Sequence, residues 1–400
     1  MSKKIFTEDF STKKELKYAP KAHIADVSRT ITTDVSEEAI KKGNAFAQEI
    51  TDYFVSDFEK KEDKMVHVST FVVVNGFIYM TYYANTKDPL EEPKDQIARL
   101  VYAPIDDLNN KTFIDLQTTG DSVGDKTIDR VYDTILMQKD NDTIYVMWTA
   151  RITEGNYYRF YCPFILSTKT LGEIGVNRFK VGDIVNDFSA SGIRVALAEN
   201  DILCKKMFAD IGIMQKLSSR IENGEIYYYS GAYSGEFTCI IKSKDLITWE
   251  YVSQPDFVNN SIYENATYVL GDKCYYFVRQ YEEDNIGGFL TVYDLVNKTW
   301  EKPVEIADCQ SRSDFIFYNG ELYLFHAPID REHIGVIKID TDNIANSSVV
   351  LQANMNSSCF YPFVQYYSDN ELAMSYTVAR QHIRLSRFTL SKYLGVSRMP

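Results

Sequence analysis

The sequence predicts an all-β chain folded as a β-propeller, and three observations carry that reading. The first is a repeat. Second strands of similar design read GFIYMTYYAN at 76–85, DTIYVMWTAR at 142–151, GEIYYYSGAY at 224–233, DKCYYFVRQ at 272–280, GELYLFHA at 320–327 and NELAMSYTVAR at 370–380. The second is composition, because 29 Tyr and 23 Phe suit a pleated surface better than a helix. The third is the partial sequence of each unit, a small antiparallel sheet that cannot bury both faces alone and must stack on its neighbours about an axis.

The first strands of the repeats begin near His67, Asp129, Asp210, Glu264, Ser311 and Cys359. This gives six blades, at about 65–120, 127–186, 208–256, 262–308, 311–353 and 358–390, within one domain spanning 1–400; a seventh would have to hide in the first 66 residues. The last repeat offers three strands, so an N-terminal strand is expected to complete it, and AHIADVSRTITT at 22–33 has the composition to do so. After it, 36–61 opens on Ser36 and sets Ile40, Phe46, Ile50, Phe54 and Phe58 largely on one face, which predicts the one long helix. The segment 187–206 has a Ser-rich start followed by apolar residues at helical spacing, and predicts a short helical insertion over one rim.

Charge and cysteines narrow the function. A formal charge of −13 argues against a nucleic-acid partner, since that affinity rests on Lys and Arg neutralising phosphates. The N-terminal residues lack an apolar leader and no stretch reaches about 18 apolar residues, so neither export nor a membrane partner is expected and the protein is placed in the cytoplasm. Cys162, Cys204, Cys239, Cys274, Cys309 and Cys359 are scattered without a CxxC pair, the pattern of reduced core residues. No cofactor is predicted. A divalent cation on the channel axis stays open, although no ligand spacing argues for one.

Polar residues at equivalent strand ends should converge at one mouth of the channel. The innermost strands offer His67, Arg130, Asp133, Glu264, Asn265, Arg312, Asp314 and Tyr361; the second strands offer Tyr83, Trp148, Arg151, Tyr229, Tyr233, Arg279, Gln280, His326 and Arg380. Arginine is seldom placed in a β-rich interior without a carboxylate or phosphate to hold. An anionic sugar is therefore the expected ligand, with Trp148, Tyr229 and other aromatic residues available to stack on sugar faces. Arg130, Asp133, Arg151, Asn265, Arg279, Arg312 and Asp314 complete the expected binding set. His67, which interrupts the alternation of VHVSTFVVV, and His326 are the expected acid/base residues, because imidazole titrates near neutral pH. His23, His333 and His382 read as loop or outer-strand residues.

Two resemblances sharpen the expectation. Ser243, Asp245, Thr248 and Trp249 form SxDxxTW, which resembles the Asp-box turn of sialidase-type propellers, with a shortened echo in LVNKTW at 295–300. His67 and Gln280 resemble the His and Gln of propeller enzymes that remove α-L-rhamnose from glucuronate and, more loosely, those of propeller uronate lyases. That likeness implies a proton-transferring histidine, with Gln280 counted beside His67 and His326 among the catalytic residues, and polar side chains gripping a uronate. The expected activity is cleavage of a glycosidic bond in a small uronate-containing oligosaccharide, by hydrolysis or β-elimination. The alternatives are a non-catalytic sugar-binding propeller, a sialidase-like enzyme, which needs Arg130, Arg279 and Arg312 on one carboxylate and a Tyr and Glu nucleophile pair, and an inverting glycosidase using Asp133, Glu264 and Asp314. Sugar, linkage and oligomeric state are not specified by the sequence.

Overall fold

A computed structural model describes residues 5–7, 14, 26–32, 34–53, 55–91, 95–153, 155–203, 211–235, 237–255, 264–282 and 285–394. His23, Phe54 and Cys204 lie outside these residues, as do Asp210, Thr33 and all of 22–25. The described strands fall into six mainly antiparallel sheets. Their innermost long strands are Met65–Val74, Lys126–Gln138, Ser218–Glu222 with Gly212–Ile213, Asn265–Leu270, Asp314–Tyr318 and Phe360–Tyr366. Each leads through a hairpin into one of the six repeated second strands.

The core shows how the sheets close on themselves. One apolar cluster joins the first and second sheets through Tyr79, Leu136, Trp148 and Phe160. Others join the second to the third through Ile135, Phe179 and Trp249, the third to the fourth through Tyr229 and Tyr276, and the fourth to the fifth through Phe277 and Phe315. Cys359 and Phe325 lie in the cluster between the fifth and sixth sheets, and Phe71, Phe363 and Leu385 join the sixth back to the first. Alternation along each strand supplies both interfaces, since successive side chains point to opposite faces. This is the propeller arrangement that the repeats predict.

Closure departs from expectation. Arg29–Ile31 does not complete the last sheet; it pairs in parallel with Val304–Ile306 at the outer edge of the fourth. The sixth sheet is completed instead by Val55–Asp57, antiparallel to His382–Phe388, and Phe58 then buries its ring between the sixth and first sheets. The physical reason lies in the predicted helix, which runs only from Glu37 to Tyr53. It crosses the outside of the fifth and sixth sheets on Phe46, Ala47 and Ile50 while Ile40 stays exposed, and so delivers the Val55–Asp57 strand to the open edge. Gly43 permits the crossing, because a Cβ there would collide with the backbone at Gln352.

The insertion forms a helix at Ala190–Glu199, capped by the Ser189 hydroxyl, which accepts from Gly192 N at 2.9 Å. The strands before it belong to another sheet than expected. Arg178–Val181 pairs in parallel with Thr248–Ser253, extending the third sheet, so the second unit ends earlier than residue 186. In the SxDxxTW turn, Asp245 Oδ1 accepts from Ile247 N and Thr248 N, each at 2.8 Å, and Trp249 is fully buried. Asp294 receives Val296 N and Asn297 N in the same way in LVNKTW. No helix among the described residues is long and apolar enough to cross a membrane.

Candidate functional site

At one end of the ring, Val68, Tyr83, Glu91, Arg130, Tyr132, Asp133, Tyr233, Glu264, Arg312 and Tyr361 enclose a cavity of about 250 Å³. Three of these residues share an unusual backbone. Val68, Asp133 and Tyr361 have φ of 53°, 53° and 56°, and each sits where the register of an innermost strand shifts against its partner. Left-handed backbone is costly for non-glycine residues and most of all for a β-branched one. The same bulge in the second, sixth and first sheets turns one residue out of each pleat toward the axis.

The side chains form a continuous charged network. Tyr361 donates its hydroxyl to Glu264 Oε1 at 2.5 Å, and Arg312 Nε lies 3.2 Å from that oxygen. Arg279 Nη1 lies 2.5 Å from Glu264 Oε2, so one carboxylate meets two guanidinium groups. Arg312 Nη2 also reaches Asp133 Oδ1 at 2.5 Å and the Tyr233 hydroxyl at 3.1 Å. The Tyr233 hydroxyl in turn donates to Asp133 Oδ2 at 2.8 Å, and Arg159 Nη1 binds the Asp133 carbonyl at 2.5 Å and its carboxylate at 3.3 Å. Gly212 makes room for this pairing, since a Cβ there would strike the Tyr233 ring and lie 2.6 Å from Asp133 Oδ2. Glu91 closes the mouth, held by the Tyr83 hydroxyl at 2.5 Å and by Arg380 at 2.5 Å.

Electrostatics follow from this wiring. Burial pushes the Glu264 carboxyl upward, yet Arg279, Arg312 and the Tyr361 hydroxyl together hold it below the ordinary carboxylate value. Burial and the Glu264 charge raise the Tyr361 phenol, so it keeps its proton and stays a donor. Arg312 Nη1 and Arg130 Nε are buried with no hydrogen-bond partner among the described residues. Orphaned guanidinium nitrogens beside a cavity are costly unless a ligand answers them.

The structure gathers some of the predicted residues and disperses others. Arg130, Asp133 and Arg312 line the cavity, with Arg279 behind Glu264. His67 stands one layer back: its Nδ1 is 3.2 Å from Thr377 Oγ1, and its ring stacks on Tyr361 with centroids 4.7 Å apart. Burial, and then the charges of Arg380, Arg312 and Arg331, hold the imidazole well below its usual range, leaving it neutral. Asn265 is a strut between the third and fourth sheets, donating to the Ala232 carbonyl at 3.1 Å and to Thr238 Oγ1 at 2.7 Å. Gln280 is buried and faces Gly287 across the hairpin, outside the cavity lining. His326 is buried opposite Gly335, and burial lowers it to about 4.

The remaining candidates serve other parts of the fold. Trp148 is fully buried, stacks on Phe160 and donates Nε1 to Gln117 at 2.6 Å, so no sugar can reach its face. Arg151 pairs with Asp129 at 2.5 Å. The Tyr229 hydroxyl donates to Glu222 in a separate depression lined by Lys242 and Tyr293. Asp314 lies 3.1 Å from Lys216 Nζ and accepts from Val364 N at 2.8 Å, a buried tie between the third, fifth and sixth sheets. The alternation of the strands explains these departures, because a one-residue difference at a bulge exchanges the channel for the sheet interface. The sialidase alternative calls for a Tyr and a Glu without naming them, so the pairing of Tyr361 with Glu264 was not assigned, and Glu91, Arg159 and Arg331 were passed over. The alignment of Tyr361 with His67 at the start of an innermost strand was the available signal.

The cavity holds no tight His and carboxylate cluster suited to a metal among the described residues. Asp57, Glu59 and His382 do approach one another, but on the outer edge of the sixth sheet. No family model matches the chain, and no curated protein matches it. Solved structures do. The Hadza microbial sialidase Hz136 superposes with a TM-score of 0.55 at 10% identity, over 83% of this chain and 67% of that one. The NanB sialidase from Streptococcus pneumoniae gives 0.54 at 9% identity, over 86% and 72%. The shared property is the fold. This chain is a β-propeller.

Proposed function

We propose that the protein is a glycoside hydrolase acting on an acidic sugar, with Tyr361 as nucleophile and Glu264 as the base that activates it. The observation carrying this reading is the 2.5 Å hydrogen bond from the Tyr361 hydroxyl to Glu264 at the floor of an arginine-lined cavity. A protonated phenol is a weak nucleophile, and a carboxylate in hydrogen-bond contact removes its proton as the bond to the anomeric carbon forms. Arg312 and Arg279 keep that carboxylate ionised between turnovers. The orphaned nitrogens of Arg130 and Arg312 would receive the carboxylate of the sugar. Asp133 and Glu264 each answer two arginines, whereas Glu91 answers one, so Glu91 is assigned to protonate the leaving oxygen. Water then releases the sugar from Tyr361 by the reverse steps.

The structural neighbours support the reading, since those with the better superpositions are named as sialidases. The uronate expected from the sequence and a sialic acid share the carboxylate that this cavity would bind. The role expected for His67 changes: neutral and stacked on Tyr361, it positions the phenol and is not assigned the proton transfer. A second reading is β-elimination, for which the neutral His67 imidazole stacked on Tyr361 would be the base, and its product absorbs in the near ultraviolet. The test is a screen of sialosides and uronate-containing oligosaccharides, read for reducing ends and for absorbance. Reducing ends without absorbance support hydrolysis; absorbance supports elimination; binding without either product, unchanged in Tyr361→Phe, leaves a sugar-binding propeller.

A further inference from the structure

Beside the cavity, two more arginines meet one aromatic ring. Arg331 Cζ lies 5.2 Å and Arg380 Cζ 5.9 Å from the ring centroid of Phe360, the residue before Tyr361. Arg380 is paired to Glu91, but the Arg331 guanidinium has no carboxylate or hydrogen-bond partner among the described residues. Its position is bought with backbone strain: Ile329, Asp330 and Arg331 have φ of 51°, 54° and 61°, three left-handed residues in succession without a glycine. A solvated arginine on an ordinary turn would need none of this, and strain of this kind collects at ligand clamps. Burial first, and then the nearby charges of Arg279 and Arg380, lower the Arg331 pKa against the opposing pull of Tyr361 and Glu264. In a chain of formal charge −13, Arg130 and Arg312 line the cavity, Arg279 stands behind Glu264, and Arg331 and Arg380 flank Phe360, so five guanidinium groups gather here.

We propose that Arg331, Arg380 and Phe360 form a second anion subsite, which holds an acidic group on the sugar unit next to the one cleaved. The substrate is then an oligosaccharide with acids on two neighbouring units, one at Arg130 and Arg312 and the other at Arg331, with the Phe360 ring offering an apolar platform between them. The substrate part of this inference rests on the glycosidase reading; the anion subsite does not.

The experiment therefore has two arms. In the first, inorganic sulfate is titrated against thermal stability at constant ionic strength, with chloride as control, in the wild type, Arg130→Gln, Arg331→Gln and Arg331→Lys. A ligand of the folded state raises Tm by mass action. Arg331→Gln should lose at least half of the sulfate-dependent rise and Arg331→Lys should keep most of it; a full wild-type rise in Arg331→Gln overturns the subsite. In the second, an acidic disaccharide cleaved by the wild type is compared with the same compound esterified at its second acid. Esterification should lower wild-type kcat/KM at least tenfold, chiefly through KM, and leave Arg331→Gln unaffected; equal wild-type values overturn the diacidic substrate. Should no acidic glycoside be cleaved while the sulfate response still depends on Arg331, the glycosidase reading fails and the subsite stands.

Discussion

Tyr361 and Glu264 come from the sixth and fourth sheets, 97 positions apart in the chain, and meet in a 2.5 Å hydrogen bond. The bulge at Tyr361 tips its ring toward the axis, and Arg279 and Arg312 fix the carboxylate that receives it.

Tyr361→Phe should lower kcat by at least about a thousandfold with little change in KM, because it removes the nucleophile and keeps the ring that stacks on His67. Glu264→Gln should lose comparable activity and also stability. It leaves Arg279 and Arg312 partly uncompensated in the interior, and breaking a buried ion pair costs about 3–5 kcal/mol. Steady-state kinetics with chemical denaturation separates the two, and a Tyr361→Phe enzyme with wild-type kcat would remove Tyr361 from the mechanism.

Gly212→Ala tests the support of Asp133. The new methyl must displace Tyr233, which holds both Asp133 and Arg312. Overpacking of this kind costs about 1–3 kcal/mol, and activity should fall by more than tenfold at temperatures where the fold is intact. Circular dichroism and kinetics on the same sample check it.

Phe58→Ala tests the corrected closure of the ring. Phe58 is fully buried in the cluster between the sixth and first sheets, where it anchors the Val55–Asp57 strand. Truncating a buried Phe costs about 3–5 kcal/mol. Ile31 is buried too, in the cluster between the fourth and fifth sheets, so Ile31→Ala is no control; wild-type stability of Phe58→Ala in chemical denaturation would overturn this closure.

Stability should respond to acid through two opposed groups. His326 titrates at about 4 in the fold, below its ordinary 6.5, so its contribution is complete above 6.5 and is lost as pH falls toward 4. Asp314 is raised by burial to about 6 from 3.8, so its contribution is complete below 3.8 and is lost as pH rises through 6. Between pH 4 and 6 the two partly cancel, each with a limiting slope of about 1.4 kcal/mol per pH unit. Asp314→Asn should therefore make the loss of stability from pH 6 to 4 steeper, while His326→Asn makes it shallower. Denaturation curves at pH 7, 6, 5 and 4 measure both slopes.

Much of the architecture was legible in local chemistry. Alternation in GFIYMTYYAN and its five counterparts marks strands that bury both faces, and the Asp245 and Asp294 turns are visible as short motifs because their hydrogen bonds are local. The site was legible only as a set of strand-end residues. Trp148 and Arg312 look alike in the sequence, as large groups near the end of a strand, but one fills a sheet interface and the other the channel. Val68, Asp133 and Tyr361 break the alternation through left-handed backbone that no residue type there announces.

The sequence by itself therefore determined the repeating unit, because strand periodicity and turn chemistry act over a few residues. Only the tertiary structure decided which strand completes the last sheet and which polar groups meet. Both depend on where the helix Glu37–Tyr53 delivers Val55 and on how three bulges aim side chains from sheets far apart in the chain, and those distances close only when the ring does.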